Sequence, residues 1–161
     1  MGLANSLLVE ATKIVWAAAP KDITGAGLTG DLVCLKYHRK MAIVLLTGAW
    51  AGGTAAVTLT QATDAAGGTT ASFAFDYQYV GTGLTSDTLV KTAVSSNTFN
   101  LSAANKIHVI EVLASDLTAG YTHLRCEVAS PGSNADLLAM AYILYQGSYV
   151  EGVASQPSVI A

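Results

Sequence analysis

The chain has 161 residues, a formal net charge of −3 at neutral pH, and only 12% charged residues against 52% hydrophobic ones. That length is one domain, the charge is about half the ~25% of an average soluble domain, and no basic footprint for direct nucleic-acid binding is present. So little charge suggests that other subunits cover much of the surface. The two cysteines, Cys34 and Cys126, are too few for a zinc pattern or a disulfide framework. They read as buried, reduced thiols that behave as small hydrophobes.

The first nineteen residues end in Ala17-Ala18-Ala19, but Glu10 and Lys13 interrupt the apolar run and no basic stretch precedes it. A signal peptide is therefore not expected. The stretch to about residue 30 reads as an extended N-terminal segment, with one strand candidate from Lys13 to Ala17. Gly25, Gly27 and Gly30 satisfy G-x-G-x-x-G. A dinucleotide loop, however, needs a helix after it and an acidic residue about twenty positions on. Here a β-like run from Leu32 to Tyr37 follows, and after Asp31 the next carboxylate is Asp64. Lys36 to Lys40 holds three of the eight basic residues. It reads as a solvated turn entering a strand at Met41, with an electrostatic contact to an acidic neighbour as its functional alternative. The uncharged stretch Met41 to Thr63 is long enough for a bilayer. Gly48, Gly52, Gly53 and several threonines break it into two strands and a turn, so no membrane association is expected.

Period-two alternation dominates the rest. In Ser72 to Val80, Phe73, Phe75, Tyr77 and Tyr79 share one face, with Ser72, Asp76 and Gln78 on the other. From Tyr121 to Val128, Leu124, Cys126 and Val128 are expected inward and His123, Arg125 and Glu127 outward. Met41 to Leu46, Ile107 to Leu113 and Leu137 to Tyr145 are nearly continuous apolar runs, expected as strands covered on both faces. Helix propensity would also suit Leu137 to Tyr145, but its flanks, Ser130 to Ala135 and Gln146-Gly147-Ser148, are turn chemistry. Ala55 to Thr60, Thr88 to Val94 and Thr98 to Leu101 are shorter candidates, separated by Gly-, Asn- and Ser-rich turns. This spacing predicts an all-β chain: a single antiparallel β-sandwich of jelly-roll type over residues 1–161, with under about 10% helix. The alternation is lost from Glu151 to Ala161, around Pro157, which reads as an extended C-terminal arm.

Chemistry-bearing constellations do not emerge. His38, His108 and His123 show no metal-ligand spacing, and His108 reads as a satisfied strand residue. No Gly-x-Ser-x-Gly elbow accompanies the serines, and no pair stands out among the eleven carboxylates. No catalytic, cofactor-binding or metal residue is assigned, no cofactor is expected, and the chain reads as not an enzyme.

Several of these runs resemble small virion proteins of tailed bacteriophages. They are Val57 to Asp64, Ser96 to Leu101, Ile107 to Val112, and Ser130 to Asp136 with the apolar run ending near Tyr149. Together they extend from about His38 to Tyr149. The resemblance implies a structural protein of the virion, assembled in the host bacterial cytoplasm. Its commonest role is capsid decoration, or cement: a jelly-roll subunit that sits on the major capsid protein, often as a homotrimer. A tail, fibre or head-completion protein is an alternative within the particle. A carbohydrate-binding β-sandwich is another, and an exposed Trp16 or Trp50 beside turn carboxylates would be its sign.

Overall fold

The computed structural model describes residues 7–81, 83 and 87–147, and every structural statement below concerns these. A single helical turn, α1 (Leu8–Ala11), leads into β1 (Thr12–Asp22), β2 (Leu28–Thr29), β3 (Val33–Cys34) and β4 (His38–Trp50). Next come β5 (Ala55–Ala62), β6 (Thr70–Ser72), β7 (Tyr77–Gly81), β8 (Leu89–Ala93) and β9 (Phe99–Leu101). The chain then runs through β10 (Ile107–Leu113), a 3₁₀ turn (Ala114–Asp116), β11 (His123–Val128) and β12 (Asp136–Gly147).

These strands form two antiparallel sheets. The first has the order β1-β12-β4-β10-β7-β8, and the second β2-β11-β5-β6, with β3 also paired to β11 and β9 to β5. The pairs β1–β12, β2–β11, β4–β10 and β5–β6 nest inside one another along the chain, from the outermost pair to the innermost. A long hairpin rolled up across two sheets gives this nesting, which is the jelly roll that the strand count suggested. β7 and β8 are an added hairpin that widens the first sheet beyond β10.

Inward residues of the two sheets build one core. Met41, Ile43 and Leu45 from β4 meet Val57 and Leu59 from β5, Leu124, Cys126 and Val128 from β11, and Leu138, Met140, Tyr142 and Leu144 from β12. The Cys126 backbone N–H donates to the Tyr142 hydroxyl at 2.9 Å, a buried hydrogen bond from one sheet to the other. Glycines let the β1–β3 connection lie tightly on β11. A Cβ at Gly27 would strike the Val128 carbonyl, and one at Gly30 the Tyr142 hydroxyl. The G-x-G-x-x-G spacing is thus a packing device.

The structure corrects several expectations. The N-terminal segment is not extended and unpaired to residue 30, because from Thr12 it is an edge strand of the first sheet, paired along β12. Ser72 to Val80 is not one strand: β6 belongs to the second sheet and β7 to the first. In crossing between them the chain reverses its inward face, so Phe73 and Phe75 are buried, Tyr77 is exposed, and Gln78 is buried. Met41 to Leu46, Ile107 to Leu113 and Leu137 to Tyr145 are strands, but each is covered on one face only. Cys126 is fully buried, whereas Cys34 is only half-buried. His123 lies on the outer face as expected, yet it is buried there beside Ala62. The arm from Glu151 to Ala161 lies outside the described residues.

Candidate functional site

The three histidines do not converge on a site. The Nδ1–H of His108 meets Gln78 Oε1 at 2.9 Å, and its ring stacks on Phe99 with centroids 5.5 Å apart. Burial, helped by the Lys106 charge, pulls its pKa down to about 4, so the ring is neutral at pH 7. His38 opens β4 with both ring nitrogens buried and without a hydrogen-bond partner. Burial and then Lys13 lower its pKa. His123 is lowered by burial against an opposing effect of Asp64. The His123 Nδ1 lies 2.9 Å from the Thr122 hydroxyl, its neighbour in sequence.

A polar hollow lies where the chain crosses between β6 and β7. It encloses about 270 Å³ and brings Asp76, Glu111, Asp116, Tyr79 and Lys91 together. Two of its charged groups are already engaged. Glu111 accepts the Tyr145 hydroxyl at 2.8 Å, and Lys91 Nζ sits 3.7 Å above the Tyr77 ring. Among the described residues no group of three or more His, Cys, Asp or Glu could hold a metal ion. The sign of a sugar platform is also unmet. Trp50 is half-buried and donates its Nε1–H to the Gly53 carbonyl at 3.3 Å. Trp16 is exposed, but Ile14, Val15 and Ala141 line the hollow beside it, with no carboxylate among them.

The outstanding surface is the outer face of the first sheet. Directly paired residues of an antiparallel sheet share a face, so the register defines its rows. Trp16, Ala141, Val44, Val109 and Tyr79 follow one another across five strands. One row along, Ala139, Leu46, Ile107 and then Gly81 with Leu89 continue the same face. On the other side of the Trp16 row lie Ile14, Ile143, Ala42 and Glu111. Trp16 is 63% exposed, Ile14 51%, Leu89 49%, Leu137 47% and Ile107 45%. Leu137, Ala139 and Leu46 also line a shallow apolar hollow of about 330 Å³ beneath Pro20. Charge enters this face at Lys40, Glu111 and Lys91, and at its β1 edge Asp22 pairs with Leu137 and Lys21 lines the same hollow.

This continuity was hidden in the sequence. The apolar runs of β4, β10 and β12 were read as covered on both sides, whereas their outer halves are uncovered. The signal that could have found the face was present: low charge, and Trp16 within the uncharged run from Ile14 to Ala19.

No protein-family model matches the chain, and no curated protein matches its sequence. Its fold is similar to that of the SPBc2 prophage-derived protein YomS, known from a crystal structure. The identity is 12% and the TM-score 0.44, over 84% of this chain and 93% of that one.

Proposed function

We propose that the chain is a non-enzymatic structural subunit of a tailed-phage particle, a decoration or cement protein that binds the major capsid protein from outside and stabilises the shell. The observation that carries this reading is the apolar outer face of the first sheet. It is the broadest apolar surface described on this jelly roll, with Trp16, Ile14, Leu46, Ile107 and Leu137 exposed on it. An exposed apolar area of that extent marks an assembly surface. The sequence resemblance from about His38 to Tyr149 supplies the particle as its context.

A cement subunit works through contact area summed over many copies. Each contact can be weak, because a self-associated subunit bridging neighbouring capsomers makes the later contacts intramolecular. The chain ends are the proposed shell-binding elements. Thr12 pairs with Tyr145, so the N-terminal turn and the exit of β12 sit at one corner of the first sheet. Leu7, Leu8 and Val9 are exposed at that corner, and Glu151 to Ala161 continue the chain beyond it. An apolar chain end that becomes extended on binding can add to a neighbour's sheet edge through main-chain hydrogen bonds.

The test is to mix the purified chain with shells that lack it and measure saturable co-sedimentation, then locate the added density by electron microscopy. Regular occupancy of the outer shell is expected, with a chain ending at Gly147 binding at least tenfold more weakly. Absence of binding, or density confined to the tail, overturns the reading.

A further inference from the structure

We infer that the outer face of the first sheet is a self-association surface whose occupant is the same face of a second copy of this chain. This deepens the reading of the chain as a structural subunit, and it is tested in solution without shells, so either can fail alone.

The size of the face is the first argument. It is six strands wide, about 24 Å at ~4.8 Å per strand, and about 20 Å long from Lys40 to Leu46 at ~3.4 Å per residue. In projection that is roughly 500 Å², and the accessible area of its corrugated side chains is larger. It is therefore of the order of the about 800 Å² that each partner buries in a standard interface.

The second argument is self-complementarity. Two sheets pack face to face about 10 Å apart with their strands nearly aligned. β4 and β10 are the middle strands of the six. A two-fold axis running along the strands between them sets Leu46 of one copy opposite Ile107 of the other, and Val44 opposite Val109, following the observed register. The same axis brings Lys40 of each copy beside Glu111 of its mate, one row away. Both contacts then occur twice, as an isologous interface requires.

The third argument is that no other complementary apolar surface is found among the described residues. A three-fold arrangement, as the sequence resemblance implied, would press this face against a different surface of the next copy. The outer face of the second sheet presents Thr58, Thr60, Arg125 and Glu127 instead. Of the exposed large hydrophobics away from the first sheet's outer face, Leu7, Leu8 and Val9 are confined to the N-terminal turn and Val90 to the edge strand β8.

Sedimentation equilibrium of the full chain at micromolar concentration provides the test. The expected mass is twice the 16.5 kDa of the chain. Leu46→Glu and Ile107→Glu should each weaken the pair at least tenfold while the far-ultraviolet circular dichroism stays unchanged. Thr58→Glu, on the second sheet's outer face, should leave the mass alone. Lys40→Glu should weaken association, and the double exchange Lys40→Glu with Glu111→Lys should restore it. Should either Leu46→Glu or Ile107→Glu fail to fold, the charge exchange decides by itself. A monomer, a trimer, or a dimer indifferent to the Leu46, Ile107 and Lys40 substitutions overturns the inference.

Discussion

The outer faces of the two sheets are built from the same alternating strands and yet differ sharply. On the second sheet, outward positions carry threonines and a charged pair. Arg125 and Glu127 lie 2.6 Å apart, and the Thr60 hydroxyl donates to Glu127 at 2.7 Å. That face is polar and partly exposed, although Arg125 Nε is buried without a hydrogen-bond partner. On the first sheet, outward positions carry Trp16, Val44, Leu46, Ile107 and Ile143. Both inner faces contribute apolar residues to one core, so burial of the core explains only the inward half of this pattern. What the contrast teaches is that, among the described residues, only the first sheet leaves a broad apolar outer face exposed.

The comparison is broken most severely by exchanging inner and outer positions on one strand. Ile43 is fully buried and its neighbour Val44 faces outward. Ile43→Ala should cost about 2–5 kcal/mol of unfolding free energy through lost burial and a residual cavity. Val44→Ala should cost about 1 kcal/mol or less. Both are measured by urea unfolding in the Leu46→Glu background, so that self-association does not contribute. Equal costs would mean that the outer face is not a separate surface.

The link between the sheets comes next. Tyr142→Phe removes the acceptor of the Cys126 N–H and leaves that group buried without a partner. A loss of about 1–3 kcal/mol is expected, with no change in oligomeric mass. A change in mass would show that the core link also shapes the outer face.

Acid should act on the inner layer. The pKa of His108 is about 4 in the folded chain, below its ordinary 6.5. The unfolded chain therefore binds more protons between those values, and stability falls as pH drops from about 6.5 towards 4. The slope from one proton is at most about 1.4 kcal/mol per pH unit. His38 and His123 are shifted in the same direction and add to it. His108→Gln should flatten the profile in thermal unfolding across that window, and an unchanged slope would remove His108 from the explanation. The smallest effect belongs to the polar face: Arg125→Ala should cost under about 1 kcal/mol, since partly exposed ion pairs contribute little. A larger loss by urea unfolding would show that this face is more than a solvated surface.

Much of the fold was legible because alternation and turn chemistry are local. Tyr121 to Val128 displays its inward set, Leu124, Cys126 and Val128, directly in the order of its residues, and Leu137 to Tyr145 is a strand as its flanking turns indicated. The crossing between β6 and β7 was not legible, since unbroken alternation from Ser72 to Val80 carries no mark of a change of sheet. Asp136 was equally silent. Its carboxylate is buried and accepts the Ala51 N–H at 2.5 Å, which pins the β4–β5 turn to the start of β12. That partnership spans 85 residues of sequence.

By itself the sequence determined the class of the molecule: all-β and sparsely charged. Residue order dictates local geometry, and turn residues dictate where strands stop. Only the tertiary structure decided which apolar residues became core and which became surface. A continuous run such as Met41 to Leu46 offers apolar side chains to both sides of a strand, and nothing within it says whether a second layer covers one side or two. The rolled hairpin laid the second sheet over one side of the first and left the other side open.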